Sequence, residues 1–150
     1  MQRDEIIEEI FSITETVSHF WRDYFFTILN KSDINFTQLR VMILLKAEQP
    51  MLGKNLAKRL QLTPSSITQT LENLAQKQYI VRKQDKDDRR NVYITLSASG
   101  EAILDDLRQK RLKILTMMNQ PLTDAELQAE LSRQRKVLTH LQSIRSSKAQ

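Results

Sequence analysis

Leu62-Thr63-Pro64-Ser65-Ser66-Ile67-Thr68-Gln69-Thr70-Leu71 decides how this chain folds. Thr63 is a good N-cap, and Pro64 at the first helical position loses nothing, because a proline lacks only an N–H that no helix would use there. Ile67, Thr70, Leu71 and Leu74 then fall on one face, leaving Ser65, Ser66, Thr68, Gln69 and Asn73 on the other. Upstream, Gly53 to Leu60 reads as a short helix with Leu56, Ala57 and Leu60 inward, joined through the tight turn Gln61-Leu62. Downstream, Ile80 to Lys83 and Asn91 to Leu96 alternate as a two-stranded hairpin around the charged tip Asp85-Lys86-Asp87-Asp88-Arg89-Arg90. Helix, turn, helix and basic hairpin is the order of a winged helix-turn-helix.

Outward from this centre the pattern is helical. From about Asp4 to Asn30, apolar residues recur at positions 6, 10, 13, 17, 20, 21, 24 and 28. That stripe is longer than a small domain covers by itself, so part of it is expected to pack on a second chain. Lys31-Ser32-Asp33 breaks it. Thr37 is the expected cap of a second, nearly all-apolar helix through Leu39, Val41, Met42, Ile43, Leu44 and Leu45, placed at the domain centre and ending before Pro50. Ser97 restarts helix to about Asn119, and Pro121 ends it. Thr123-Asp124-Ala125-Glu126 is a capping box for a last helix to about Arg145. The expected fold is mainly α: six helices, one β-hairpin wing and long terminal dimerisation helices. One domain spans residues 1–150, with a DNA-binding lobe at about 36–98 and dimerisation helices at about 4–30 and 98–145.

Composition narrows the chemistry. Only two glycines and three prolines occur in 150 residues, which favours long helices over a loop-rich or all-β fold. There is no cysteine, which excludes disulfides, thiolate zinc sites and thiol redox sensing. The polar start and the absence of a long apolar run point to a soluble, cytoplasmic protein with no membrane partner. His19 and His140 are too few for a zinc site, and no triad, phosphate loop or carboxylate pair suggests an enzyme, so neither metal nor cofactor is expected.

Charge gives the direction. Residues 54–90 carry nine basic residues against four acidic, a net +5 that equals the charge of the whole chain, so the remainder cancels. Such a confined excess suits double-stranded DNA and is unneeded by the alternative, a winged-helix protein-interaction module without an operator. Thr63, Ser65, Ser66, Thr68 and Gln69, at the start of that helix, are candidate DNA contacts, side chains able to bond bases or phosphates. Lys86, Asp88, Arg89 and Arg90 lie at the tip, where an arginine suits a minor groove and Asp88 is expected to orient the Arg90 guanidinium. Lys54, Lys58, Arg59 and Lys83 are candidate phosphate contacts. Trp21 and Tyr24, with Arg40 on the next helix, are candidates to line a cleft for a small aromatic or anionic effector.

These pieces resemble the MarR family of bacterial transcription regulators. The likeness rests on Leu56-Ala57, on Leu62 to Thr68, on Leu71-Glu72, and on a wing motif present as Asp88-Arg89-Arg90, then Leu96-Ser97 and Gly100. The family usually has glycine where Gln78 stands and threonine where Ser97 stands. The resemblance implies a homodimer built by the terminal helices, binding a palindromic, inverted-repeat operator as a repressor with Arg90 in the minor groove. It also implies release by a small-molecule effector.

Overall fold

The computed structural model describes residues 2–86, 88 and 90–147. In chain order the elements are α1 (Arg3–Asn30), α2 (Phe36–Glu48), β1 (Met51–Leu52), α3 (Gly53–Leu60), α4 (Pro64–Gln76), β2 (Ile80–Gln84), β3 (Val92–Leu96), α5 (Ala98–Met118) and α6 (Asp124–Ser147). The chain divides into two units, Met1–Arg111 and Leu112–Gln150.

In the first unit α2 is the hub. Val41, Met42 and Leu45 are fully buried, and Leu56, Ile67, Leu71, Leu74, Ile94 and Leu107 join the same cluster. The expected cap at Thr37 is corrected. Asn35 caps the helix, its Oδ1 accepting from the Gln38 N–H at 2.9 Å while Gln38 Oε1 accepts from the Asn35 N–H at 3.0 Å. This reciprocal box satisfies two otherwise orphaned donors, and it explains why a polar Gln38 is only 3% exposed.

The wing belongs to a three-stranded antiparallel sheet of order β1-β3-β2, where the sequence suggests two strands. Met51 pairs with Ile94 and Leu52 with Tyr93. Gln49 Oε1 then accepts from the Leu96 N–H at 2.7 Å, so a side chain continues the ladder past the short strand. On the other side β2 pairs with β3 from Ile80↔Leu96 to Gln84↔Val92.

Among the described residues, two that are not glycine hold left-handed backbone, Gln61 at φ 55° and Gln78 at φ 60°. Gln61 ends α3, and the Leu62 N–H reaches back to the Ala57 carbonyl at 2.9 Å in a Schellman-type cap that sets the turn into α4. Gln78 sits where the resembled family prefers glycine, and the geometry shows why: the exit from α4 needs the left-handed region. Left-handed backbone costs a side-chain-bearing residue about 1–2 kcal/mol, partly offset by the greater unfolded freedom of glycine. Gln78→Gly is therefore expected to raise Tm by about 2 °C. A thermal melt showing a lower Tm counts against strain at this position.

The second unit holds the end of α5, the turn after it and α6. The expected capping box is present: the Thr123 N–H donates to Glu126 Oε2 at 2.8 Å, and the Glu126 N–H to Thr123 Oγ1 at 3.3 Å. Arg133 forks onto Glu130 at 2.9 and 2.7 Å, and these bonds with one from Gln134 hold the Glu130 carboxyl down at about 2. No described residue of α6 is buried, and Leu127, Leu131, Val137, Leu138, Leu141 and Ile144 are exposed.

Candidate nucleic-acid interface

Local chemistry sets the attitude of α4. Thr63 Oγ1 accepts from the Ser66 N–H at 3.2 Å and fixes the helix start. Ile67, Thr70, Leu71 and Leu74 then anchor the helix to the core. That leaves Thr63, Ser65, Thr68 and Gln69 exposed and Ser66 half-buried, so the predicted reading face does come together on one surface.

Its hydroxyls are not equivalent. Thr68 donates to the Pro64 carbonyl at 2.8 Å and Thr70 to the Ser66 carbonyl at 2.8 Å. Thr63 Oγ1 lies 3.2 Å from Ser65 Oγ. Gln69 is exposed, and no hydrogen bond joins its side chain to another described residue.

At the wing tip the role expected of Asp88 is corrected. Its carboxylate accepts from the Arg90 backbone N–H at 3.0 Å and from Asn91 Nδ2 at 3.2 Å, while its own N–H donates to Asp85 Oδ1 at 3.1 Å. Asp88 thus shapes the turn rather than aiming the Arg90 guanidinium, since its carboxylate bonds the Arg90 backbone N–H and Asn91 and makes no hydrogen bond with the Arg90 side chain. The turn is closed by the Asp85 N–H on the Asn91 carbonyl and the Asn91 N–H on the Asp88 carbonyl, both at 2.9 Å. Lys86 and Arg90 are exposed; Arg89 lies outside the described residues.

Of the candidate phosphate contacts, Lys54, Lys58 and Lys83 are exposed. Arg59 is exposed too, but it forks onto Glu48 at 2.8 and 2.5 Å, so its guanidinium already has a carboxylate partner. Arg82, on the exposed strand β2, is a further cation that the motif reading passed over.

The three residues expected at an effector cleft have separate surroundings. Trp21 stacks on Phe25 with centroids 5.2 Å apart, Tyr24 is exposed on α1, and Arg40 donates to the Leu60 carbonyl at 3.1 Å. A cavity of about 400 Å³ does lie among α1, α2 and the start of α5. Phe25, Leu39, Ile43, Leu104 and Leu107 line it with Lys46, Arg108 and Arg111, and the lining includes none of the three.

A further cluster had no signal in the sequence because its members are 44 and 46 positions apart. Lys77, the cap residue ending α4, reaches the Asp33 carbonyl and lies 3.2 Å from Asp33 Oδ1. Tyr79 donates to Asp33 Oδ2 at 3.1 Å, and desolvation, then this hydrogen bond and the Asp33 charge, push its phenol above the usual value. The turn after α1 is thereby tied to the exit of α4.

Among known proteins, the MarR family profile matches residues 34–92. The chain is 34% identical over 80 residues to the HTH-type transcriptional regulator SarZ of Staphylococcus haemolyticus, covering 53% of this chain and 54% of that protein. To SarZ of Staphylococcus aureus strain USA300 it is 29% identical over 91 residues, covering 61% and 62%. The chain thus spans between half and two thirds of the length of these curated relatives. Among solved structures, YusO from Bacillus subtilis superposes with a TM-score of 0.84 at 21% identity, covering 93% of this chain and 99% of that one. A mutant of S. aureus MepR bound to an oligodeoxyribonucleotide gives 0.72 at 23% identity, covering 87% and 96%. At these identities the structures speak for the fold alone: a winged helix. With the profile laid from α2 to the start of β3 and the SarZ likeness beside it, this part of the chain is similar to the MarR family.

Proposed function

We propose that this protein is a transcriptional regulator that binds double-stranded DNA as a homodimer on an inverted-repeat operator. It acts as a cytoplasmic repressor, released by a small aromatic or anionic effector, and not as an enzyme. The observation carrying this reading is the exposed polar start of α4 beside a wing with Lys83, Lys86 and Arg90 exposed, in the segment that holds all of the net charge. The SarZ relatives are named as transcriptional regulators and the MepR mutant was solved with an oligodeoxyribonucleotide, which favours the same partner here. No described helix is long and apolar enough to cross a membrane.

The apolar seam of α1 supports a dimer. Ile6, Ile10, Ile13, Val17, Phe20 and Tyr24, spaced alternately by four and three residues, are each more than 40% exposed. That is a heptad seam, and a second copy of the chain can cover it. Two-fold symmetry then places one α4 in each of two major grooves about 10 base pairs apart, with Arg90 entering the flanking minor grooves.

Selection of bound sequences from a random DNA pool tests binding, palindromy and spacing together. Recovery of an inverted repeat is expected, and Arg90→Ala is expected to weaken its affinity about tenfold, some 1.4 kcal/mol. Unchanged affinity at moderate salt removes Arg90 from the interface. A protein that ignores duplex DNA in dilute buffer returns the reading to the protein-interaction module.

A further inference from the structure

We propose that Thr68 reads the C5-methyl group of a thymine in the major groove through its own methyl, an assignment that rests on the DNA-binding reading above. Thr68 is exposed on the second turn of α4, on the end of the helix that enters the groove. Its one hydroxyl hydrogen goes to the Pro64 carbonyl at 2.8 Å. The oxygen can therefore only accept.

The duplex backbone offers that oxygen nothing, because phosphate and deoxyribose oxygens within a duplex are acceptors themselves. A phosphate contact through this hydroxyl requires breaking the bond to Pro64. Thr63 and Ser65 differ. The hydroxyl of Thr63 caps as an acceptor, from the Ser66 N–H, and so keeps a hydrogen for its shared contact with Ser65 or for a phosphate.

For Thr68 the base edges remain. With Oγ1 turned back to the helix carbonyl, tetrahedral geometry at Cβ leaves the methyl as the group free to meet a partner. The apolar feature of the major groove is the thymine methyl. Gln69, the adjacent residue, has both its amide donor and its acceptor unengaged, the requirement for a bidentate pair with adenine. The helix thus presents an apolar probe and an amide fork at successive positions, and each half-site should contain a thymine whose methyl is felt.

The test uses the full-length protein and a duplex recovered from the random pool, with each thymine of the half-site replaced in turn by deoxyuridine, which removes only the methyl. At one position per half-site, wild type should prefer thymine over uracil about fourfold, and about fifteenfold when both half-sites are changed. Thr68→Val keeps a methyl and loses the hydroxyl, so the same preference should persist. Thr68→Ser keeps the hydroxyl and loses the methyl, so the preference at that position should vanish while the others stand. The assignment is overturned if Thr68→Ser keeps the full thymine preference, or if Thr68→Val abolishes it. Failure to recover any duplex overturns the DNA-binding reading as well, so the two failures are told apart by whether wild type selects a sequence at all.

Discussion

Gly100→Ala is expected to destabilise the fold by about 3 kcal/mol, the upper range for overpacking, and to lower Tm by about 10 °C. A Cβ at Gly100 would stand 2.1 Å from the Tyr79 carbonyl oxygen and 3.0 Å from its carbon. Both are backbone atoms, so no change of rotamer relieves the collision. The Tyr79 carbonyl cannot swing aside either, since it accepts from the Ser97 N–H at 3.0 Å. The first turn of α5 must therefore retreat from the chain entering β2. Gly53→Ala is the control: its Cβ would meet Leu71 Cδ1 at 3.5 Å and Ile94 Cδ1 at 3.8 Å, ordinary contacts that should leave the melt nearly unchanged. Circular dichroism melts of the two variants decide it. Equal melting temperatures mean that the approach of α5 to Tyr79 is looser than described.

Raising salt from about 50 to 200 mM is expected to lower operator affinity on the order of 10³–10⁵-fold. Four exposed lysines per protomer, Lys54, Lys58, Lys83 and Lys86, give roughly eight phosphate contacts in a dimer and a slope near −7 in log affinity against log salt. Arg59 is left out of that sum because Glu48 already holds it. Changing Lys83 and Lys86 together to alanine should flatten the slope by about 3.6, and changing Arg59 should move it far less. Filter binding or anisotropy across a salt series reads the slopes. A slope that does not respond to the lysine pair removes the wing strand from the backbone contacts.

What could be read from the sequence was local. The start of α4, the capping box of α6 and the ends of the long helices are each decided by residues within four positions, so Thr63-Pro64 and Thr123 to Glu126 were enough to mark them. Choosing Thr37 over Asn35 was an error within that same range, since Asn35 and Gln38 form an equally local box. Strand β1 left no trace because two residues have no period; only its pairing partner in β3 defines it. The candidate site divides the same way. Which residues of α4 face outward follows from helical spacing. That Thr68 commits its hydrogen to Pro64, that Glu48 claims Arg59 and that Asp88 serves its own turn are facts of packing. The cavity of about 400 Å³ left no signal in the sequence, because its lining is drawn from three helices distant in sequence.

Tyr79 is where the frame is pinned. Its N–H is bound to the Leu74 carbonyl at 2.9 Å, its carbonyl to the Ser97 N–H, and its hydroxyl to Asp33. One residue thereby fastens the last turn of α4 to the start of α5 and to the turn after α1. A shift of either support is therefore expected to be felt at the end of α4, because one residue holds all three.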